Sequence, residues 1–548
     1  MDIYVVGPFG HAMDLLPNPT RPFSGRLHEL SALALQRPQL VITTLGALLL
    51  AAFYLLPSKD PYNLKRIPMV SRSRVLDAYR SGVWWRFILP RFYPYIHEGY
   101  LKYSTKDRPF RVWLAQFQIW VYILPLKYLP LVKNQGITEL SLRDFIDKAT
   151  SAQLSSGSFD TFEVQVGSKL LNGNLIDIKP IVQTRTEQIL ERVIGRPREW
   201  RRFNIRALSV QVVKHVSARI AFGEALADNP GFLDAMERYS LNVIPYTLVF
   251  RYFNLGPLRY PLLYLIHLRQ RQTLAVATRY VTDLIAERQR KEKEHRLDGD
   301  ERPVDCIQWS MDQDIPDEQK APEAVAHRLL HISAALIDAP ITSMMNVLAD
   351  IISYARDEVL DDLRAEIVEC LAEFDGAWTE ASMAKMKKLD SFFQESFRMT
   401  SGLIPLTGWR LIKADCFRFD NDLVLPRGST IVFPTQCIQL DPNIYPNPDK
   451  FDYLRFYRMK EHTQSTDART GKEVPRHEWL SFGHGRQACP GRFYSIRLLK
   501  TILGEMMLRY DIRYAGGDRP RPPMIDLEPI LAPDTSVELE FRVRQNVT

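Results

Sequence analysis

The sequence lacks the cysteine pattern of a disulfide framework or of a structural zinc site. Its 548 residues include five cysteines, none of them in a Cys-x-x-Cys pair. An odd, scattered set of this kind argues against both arrangements and favours a reducing compartment. The chain also has no low-complexity tract, no repeat of fixed period and no Gly-x-Gly-x-x-Gly nucleotide motif. It therefore offers no flavin or nicotinamide site of its own.

A block of charge of one sign is also missing. The net charge is +7 and the sequence pI is about 9.0, but basic and acidic residues are mixed along most of the chain. This mixture argues against a nucleic-acid binder, so we expect no nucleic-acid partner. The mild basicity is compatible with an anionic membrane surface or with an acidic redox partner.

One long hydrophobic run is present, at residues 40–56. As a helix it would rise about 26 Å, the short edge of a bilayer span. A tail of 39 residues precedes the run and Pro57 follows it, which favours a retained anchor over a cleaved signal peptide. A buried core helix is the alternative. Three basic residues precede the run and five follow it closely, which predicts that the part after the run faces the cytosol.

Beyond the run, most of the chain is predicted to be helical. Residues 268–290 have an amphipathic period, a long apolar helix is expected to begin at Pro322, and a shorter helix spans roughly 379–399. Residues 405–435 and parts of 508–545 alternate in polarity and contain turn signals, which is typical of short strands. The sequence therefore predicts a mainly α fold with a small β portion.

The motif that carries the chemistry lies at residues 482–491, Phe-Gly-His-Gly-Arg-Gln-Ala-Cys-Pro-Gly. Gly483 and Gly485 allow a tight backbone turn that can approach a flat ligand without Cβ clashes. Pro490 suits the first position of the helix predicted to follow. Cys489 is then expected at a helix N-terminus, where the dipole and the free amides favour a thiolate, and a thiolate suits an iron ligand.

The pattern Phe-x-x-Gly-x-x-x-Cys-x-Gly resembles the haem-binding loop of the cytochrome P450 family. This resemblance implies that Cys489 is the axial ligand of the iron in haem b (iron-protoporphyrin IX). It also implies a cytochrome P450 fold, here preceded by a single transmembrane helix. The loop residues that it assigns to cofactor binding are Phe482, Gly483, Gly485, Arg486, Cys489 and Gly491.

Two upstream motifs resemble family segments that brace this loop. Glu395 and Arg398 form a Glu-x-x-Arg motif among phenylalanines, so the pair is expected to be buried and to need further hydrogen bonds. Arg455, in a Pro-x-x-Phe-x-x-x-Arg segment, resembles the residue that supplies them. A second match, from Glu287 to Arg290, lies in a charged segment, and we interpret it as a solvated pair.

Two residues concern the propionate groups of the haem. Arg410, in the predicted β portion, resembles the family arginine that pairs with a propionate, which suits the bidentate chemistry of a guanidinium. An exposed strand arginine is the alternative. Gln487 stands where the family typically has a cation, so a weaker or water-mediated propionate contact is expected there.

The long helix departs from the family pattern. Asp338 occupies the position of the family acid, but Ala339 stands where the usual threonine hydroxyl helps to deliver protons to dioxygen. Pro340 cannot donate a backbone hydrogen bond, so a kink is expected. Asp338 and Thr342, one turn apart on one face, are the predicted catalytic residues. Three alternatives remain open. Water or a substrate hydroxyl delivers the proton, the enzyme performs a chemistry that depends less on this relay, or the site is inactive.

The resemblance implies a monooxygenase that hydroxylates, epoxidises or repeatedly oxidises a lipophilic small molecule with O2. The segments LDSFFQESFRMT, DKFDYLRFYRMKE and FGHGRQACPGRFYS resemble fungal microsomal members that oxidise terpenoid-type secondary metabolites. Electrons would come from NADPH through a separate FAD/FMN protein, the NADPH–cytochrome P450 reductase. The expected organisation is a lumenal tail (1–38), a transmembrane anchor in the endoplasmic reticulum membrane (39–57) and a cytosolic haem-thiolate domain (58–548).

Two other classes of function remain open. A haem-thiolate isomerase or dehydratase, or an enzyme of oxidative rearrangement, is motivated by Ala339. The isomerase or dehydratase would need no reductase. A haem-binding sensor or carrier would consume no substrate at all.

Overall fold

The computed structural model describes residues 62, 64–70, 92–114, 117, 119–150, 161–241, 259–294, 302–355, 357–401, 405–465, 479–517, 519–526 and 530–545. The chain divides into two units, Met1–Lys65 and Arg66–Thr548, and the motifs from Asp338 to Gly491 lie in the second. The predicted tail (1–38) and anchor (39–57) lie outside the described residues. The domain limits drawn from the sequence therefore remain predictions.

Helices make up most of the described chain, as predicted. In chain order they are α1 (Tyr93–Lys102), α2 (Leu129–Lys133), α3 (Leu142–Thr150), α4 (Thr161–Gln165), α5 (Leu175–Val193), α6 (Ile205–Phe222), α7 (Glu224–Ala227), α8 (Pro230–Leu241), α9 (Arg259–Ile266), α10 (Leu268–Lys293), α11 (Cys306–Asp312), α12 (Asp317–Lys320), α13 (Pro322–His331), α14 (Ala339–Tyr354), α15 (Asp357–Ala372), α16 (Glu380–Lys385), α17 (Lys387–Thr400), α18 (Thr435–Gln439), α19 (Arg455–Ser465) and α20 (Arg492–Arg509). The amphipathic helix expected at 268–290 is α10. The single helix expected at 379–399 is instead two, α16 and α17, which meet at Met386.

The long apolar helix predicted from Pro322 consists of α13, a π-helical segment at Ala334–Asp338, and α14. Pro340 has no N–H for the carbonyl four residues before it, and the N–H of Ala339 bonds to the oxygen of Ala334, five residues back. The irregularity expected at Pro340 therefore lies in the turn that precedes it. Within the described residues this is the one helix long and apolar enough to cross a membrane, and most of it is buried against other helices.

Four helices enclose the main core. Helix α6 packs against α5 and α14, and α20 packs against the same two helices. Their facing side chains are aliphatic and fully buried, as Val212 and Val216 of α6 and Leu499 and Ile502 of α20 are. Removal of this apolar surface from water is the main force that holds the helices together. The core therefore supports α14, which carries Thr342, and α20, which follows Cys489.

In the part of the chain that the structure describes, the β portion is small and divided among four sheets. Its strands are β1 (Phe110–Leu114), β2 (Ile119–Ile123), β3 (Leu140–Ser141), β4 (Arg201–Asn204), β5 (Thr407–Ile412), β6 (Cys416–Arg418), β7 (Val424–Pro426), β8 (Thr430–Phe433), β9 (Tyr510–Tyr514), β10 (Ile525–Asp526), β11 (Leu531–Ala532) and β12 (Glu538–Val543). The largest sheet has the order β1-β2-β8-β5-β3, with β2 and β8 parallel. The second has the order β4-β12-β9, and β6-β7 and β10-β11 are hairpins. The predicted mainly α fold with a small β portion is confirmed for the described residues.

A buried ion pair fixes the C-terminal half of α10. The guanidinium of Arg288 donates two hydrogen bonds, of 2.8 and 2.6 Å, to the carboxylate of Asp305. Asp305 is also the N-cap of α11, because its carboxylate accepts the N–H of Gln308 at 2.9 Å. The two charged side chains are almost entirely buried. The same helix also carries a solvent-exposed ion pair, between Glu287 and Lys291.

Removal of one partner of the buried pair is expected to destabilise the protein strongly. Arg288→Met leaves the carboxylate of Asp305 buried and uncompensated, which typically costs about 3–5 kcal/mol. Lys291→Met is the matched control, because an exposed i,i+4 pair contributes only about 0.3–0.5 kcal/mol. Chemical denaturation followed by circular dichroism gives both values. Similar losses from the two substitutions would contradict the assigned role of Arg288.

Candidate active site

The turn that carries Cys489 is formed by two glycines with left-handed backbones. Gly483 has φ +69° and Gly485 has φ +75°. The N–H of Cys489 donates to the oxygen of Phe482 at 2.8 Å, which closes the turn. At Gly485 a Cβ atom would lie 2.1 Å from the oxygen of Lys133, so the backbone of α2 leaves no room for a side chain. The motif therefore needs glycine at this position both for conformation and for space.

The helix that follows begins later than predicted. Helix α20 begins at Arg492 with Gly491 as its N-cap, and Pro490 lies in the turn before it. The expectation that Pro490 occupies the first helical position was wrong by two residues. The hydrogen bonds around the turn give the reason, since the side-chain amide of Asn172 donates to the oxygen of Pro490 at 2.9 Å. This contact holds Pro490 against the π-helical segment Val166–Leu171.

The Cys489 sulfur lies in a site where two effects oppose each other. Burial raises the pKa of the Cys489 thiol above its ordinary value, whereas the backbone N–H groups of Gly491 and Arg492 and the charge of Arg492 lower it. Burial outweighs the helix terminus, which differs from the expectation that the terminus alone favours a thiolate. A bound metal cation changes this balance, because coordination deprotonates a thiol outright.

The other residues of the loop have different surroundings. The Phe482 ring packs edge-on against Phe397 and Trp479, with ring centroids 5.4 and 5.8 Å apart. The Arg486 side chain is exposed to solvent. Gly491 has φ −86°, so its glycine identity is not required by the backbone. Of these residues, Phe482 alone is tied into the core.

Arg410 is a buried cation beside the Cys489 turn. It lies on β5, and its guanidinium donates to the oxygens of Trp409 at 2.6 Å and of Gln487 at 3.1 Å. Its Nε has no hydrogen-bond partner, and within the described residues no carboxylate pairs with it. Burial lowers the pKa of Arg410 to about 10. A desolvated guanidinium without a counter-ion fits an anionic ligand, and a haem propionate has that chemistry.

Gln487 connects the Cys489 turn to a distant part of the backbone. Its side-chain amide donates to the oxygens of Leu140 at 2.7 Å and Gln135 at 3.3 Å, and its Oε1 accepts the N–H of Leu142 at 3.2 Å. These contacts tie the Cys489 turn to the backbone around β3 and the start of α3. Both ends of the side-chain amide are bonded to protein backbone, and the weaker or water-mediated propionate contact expected at Gln487 stays a prediction.

Glu395, Arg398 and Arg455 lie together in the interior. Arg398 donates two hydrogen bonds of 2.8 Å to the carboxylate of Glu395. The Nε of Arg455 lies 3.1 Å from both oxygens of the same carboxylate. The side chains of Glu395 and Arg398 have no exposed surface, and that of Arg455 has 9%. The remaining guanidinium donors reach backbone oxygens, including that of Pro448 from Arg398 and that of Pro446 from Arg455.

Gln439 connects this cluster to the Cys489 turn, a contact that no motif in the sequence indicates. Arg398 donates to the backbone oxygen of Gln439 at 2.7 Å. The side-chain oxygen of Gln439 accepts the N–H of Leu480 at 3.1 Å and the hydroxyl of Ser481 at 3.0 Å. A glutamine at the end of the short helix α18 carries no spacing signal, so only the folded chain identifies it. The earlier match, Glu287 to Arg290, has no such surroundings, since Glu287 pairs with Lys291 at the surface.

Asp338 and Thr342 line a cavity of about 410 Å³. The cavity lies between α6, α8, the long helix and residues 530–535. The hydroxyl of Thr342 donates to the backbone oxygen of Asp338 at 3.1 Å. Asp338 is open to the cavity, and desolvation by the surrounding protein raises the pKa of its carboxyl. Cys489 is not among the described residues that line this cavity, so the structure groups the predicted site residues into two separate sets.

The two glycines of the turn give a matched pair of substitutions. Gly485→Ala is expected to lower the free energy of unfolding by more than the about 1–2 kcal/mol that left-handed backbone strain costs, because the new methyl group meets the Lys133 carbonyl. Gly483→Ala should cost only the strain, since the nearest atom to its Cβ position is 3.8 Å away. Chemical denaturation measures both, and equal losses would show that the turn is not packed against α2 as described.

Comparison with known proteins identifies the family of the chain. The family model for cytochrome P450 matches residues 165–541. A cytochrome P450 monooxygenase, sttB of Aspergillus terreus, is 44% identical over 520 residues, covering 94% of this chain and 98% of the relative. The cytochrome P450 monooxygenase sirB of Leptosphaeria maculans is 30% identical over 495 residues, covering 88% and 91%.

A third relative is more distant but matches over a similar length. The cytochrome P450 monooxygenase bsc11 of Alternaria brassicicola is 26% identical over 524 residues, covering 92% of this chain and 95% of the relative. All three come from fungi, and the predicted family and enzyme class are confirmed. The chain belongs to the cytochrome P450 family and is a monooxygenase of the fungal type.

Proposed function

We propose that this monooxygenase binds haem b through the Cys489 thiolate and oxidises a lipophilic, terpenoid-type secondary metabolite. The observation that supports the haem site best is Arg410, a buried guanidinium without a carboxylate partner, bonded to the backbone of the Cys489 turn. An anionic group of a bound ligand would supply the missing charge. The two propionates of haem b have this chemistry, and the Cys489 sulfur on the same turn would hold the iron.

The loop residues would have distinct parts in holding the cofactor. Haem ligated by a thiolate supplies oxygen activation, and a thiolate ligand donates electron density to the iron, as is general for this family. Gly483 would keep the backbone free of a side chain where the flat macrocycle approaches, and Gly485 would let the turn pack against α2. Phe482 would pack beside it from its place against Phe397. Arg486 and Gly491 are assigned to the same site by the motif alone.

The bracing cluster would keep the Cys489 turn in place. The charged groups of Glu395, Arg398 and Arg455 are hydrogen-bonded to one another and to backbone oxygens, so they are not directed at a ligand. Their contact with the turn passes through Gln439. We therefore assign them a structural part, which agrees with their almost complete burial. Positioning of this kind is how protein groups set the reactivity of a bound cofactor.

Asp338 and Thr342 would serve the proton supply. The Asp338 carboxyl opens into a cavity that water can enter, and its raised pKa favours holding a proton there. Thr342 would orient this residue through its hydrogen bond to the Asp338 backbone. The proton would be held at a carboxyl oxygen of Asp338 and released towards the interior of the site.

The substrate proposal is supported by the cavity lining. Most of its residues are apolar, among them Met236, Ile337, Ile341, Met345 and Ile530. Such a surface favours lipophilic molecules with a few polar groups. The terpenoid class and the fungal secondary-metabolite setting come from the resemblance of three sequence segments to enzymes of that kind. Anchorage in the endoplasmic reticulum membrane and electron supply from NADPH through a separate FAD/FMN reductase complete the proposal.

The isomerase or dehydratase hypothesis depends on Ala339. The relatives are named monooxygenases, which favours oxygenation for this chain. The two hypotheses differ in their electron demand, because an isomerase or a dehydratase needs neither NADPH nor a reductase.

Thiolate ligation can be tested by spectroscopy. The reduced protein with carbon monoxide should show the red-shifted Soret band of a thiolate-ligated haem, and Cys489→Ala should lose both the band and the haem-dependent activity. Cys416→Ala is the control, since Cys416 is an exposed cysteine on β6. A normal band in the Cys489→Ala protein would refute the assignment of the ligand.

Electron demand can be tested with microsomes that contain this protein. The intermediate that accumulates in a strain lacking the gene should be oxidised only when NADPH and a reductase are both present. Controls omit the reductase or use the Cys489→Ala protein. Product formed without NADPH would sink the monooxygenation proposal and favour isomerisation or dehydration, and a chain that never consumes the intermediate would be a carrier.

A further inference from the structure

Two walls of the cavity come from distant parts of the chain. Helix α14 contributes Ile341, Thr342 and Met345, and the chain around β11 contributes residues such as Ile530 and Ala532. Strand β11 pairs with β10 over two residues. A two-stranded ribbon of this size is not stable by itself. Its place opposite α14 therefore depends on contacts outside the hairpin.

Arg521, four residues before β10, joins the hairpin segment to α14. Its guanidinium pairs with the carboxylate of Asp350 and donates to the side-chain oxygen of Asn346 at 3.0 Å. Asp350 is fully buried, and only 12% of the Arg521 side chain is exposed. Asn346 directly follows Met345 of the cavity wall. One planar guanidinium thus binds two successive turns of α14, which fixes its direction as well as its distance.

The chain around Arg521 is stiff because it is rich in proline. Pro520, Pro522 and Pro523 surround it, and the proline ring holds φ near −65°. The guanidinium also donates to the backbone oxygen of Pro522 at 3.2 Å. Few conformations are therefore open to the chain between Arg521 and β10. The place of the guanidinium on α14 consequently determines where β10 lies, and β11 with it.

The Asp350 carboxylate also reaches the helix that carries Glu395. The hydroxyl of Ser396 donates to Asp350 at 2.5 Å, and Ser396 directly follows Glu395 on α17. The side chains of Asp350 and Ser396 have no exposed surface. Since Glu395 belongs to the cluster that braces the Cys489 turn, one buried carboxylate connects that cluster to the two cavity walls.

We propose that Arg521 and Asp350 hold the cavity walls in register with the Cys489 turn, and that this register determines which carbon of the lipophilic substrate is oxidised. The inference rests on the proposed function, in which the substrate occupies the cavity and Cys489 holds the haem. Neither Arg521 nor Asp350 lines the cavity, so both are positioning residues. A misplacement of about 1 Å in such a site can change a rate by about 10²-fold.

The link between the hairpin and α14 can be measured without turnover, by hydrogen exchange of the full chain. Arg521→Gln removes the charge that pairs with Asp350, so the amides of β10 and β11 should exchange faster. The paired variant Arg521→Met with Asp350→Leu replaces both charges with apolar groups, which buried ion pairs commonly tolerate. It keeps the measurement possible where Arg521→Gln does not fold, and the same faster exchange is expected.

Arg519→Gln is the matched control. Arg519 is an exposed arginine of the same segment, and its guanidinium lies over the Tyr514 ring at 4.6 Å. This substitution should leave the exchange of β10 and β11 unchanged. Unchanged exchange in the folded paired variant would overturn the proposal, because the hairpin would then keep its place without the ion pair.

The consequence for the reaction is tested with the haem-loaded protein, a fungal reductase and the intermediate that accumulates in a strain lacking the gene. The paired variant should form additional positional isomers, and its product per NADPH consumed should fall by up to about 10²-fold. Its carbon monoxide band should persist, because Cys489 is unaltered. Arg521→Lys should restore part of the original product pattern, since lysine keeps the charge but lacks the fork that binds Asp350 and Asn346 together.

Two results would separate this inference from the function on which it rests. Faster hairpin exchange with unchanged isomers and unchanged product per NADPH would overturn the inference and leave the ion pair a structural contact. Absence of oxidation by the unaltered protein would count against the proposed function, while hydrogen exchange would still decide the link between Arg521 and α14.

Discussion

The carboxylate of Glu395 is the interaction on which the site depends most. One negative charge without exposed surface binds two guanidinium groups, those of Arg398 and Arg455. Ions in such surroundings are tolerated only when their hydrogen bonds are complete, and here the outer donors reach backbone oxygens. The cluster joins α17 to the segment before α19 and, through Gln439, to the start of the Cys489 turn. A local change at Glu395 therefore reaches the cysteine without any direct contact.

Glu395 and Arg410 are both buried charged residues near the turn, but they differ in how completely their hydrogen bonds are formed. The Glu395 cluster is complete within the protein, whereas Arg410 is buried with an unbonded Nε and a lowered pKa. Desolvation of this kind is unfavourable unless a ligand returns the lost interactions. The Glu395 cluster therefore needs no ligand to complete its hydrogen bonds, whereas Arg410 still has an unbonded donor. This contrast distinguishes the residues with a structural part from Arg410, which suits contact with an anionic ligand.

Most of the fold and the main motifs could be predicted from the sequence, because period and turn residues act locally. The helices α10 and α13, the strands after Pro405 and the glycines of the Cys489 turn are of this kind. Contacts between distant segments could not be predicted in the same way. Gln439 has no sequence pattern of its own, and Gln487 binds backbone groups about 345 residues away in the chain. The start of α20 was also missed, since it depends on a contact between Asn172 and Pro490.

The π-helical segment at Ala334–Asp338 has a geometric consequence for the long helix. A bond that spans five residues in place of four adds one residue to the turn, and one residue corresponds to about 100° of rotation. The side-chain directions of α14 are therefore rotated relative to those of α13, and no single apolar face continues along both helices. Ala334, Ala335 and Asp338 of this segment are exposed on an element that is mostly buried. With this one inserted residue, the helix packs into the core at both ends and lines the cavity at its middle.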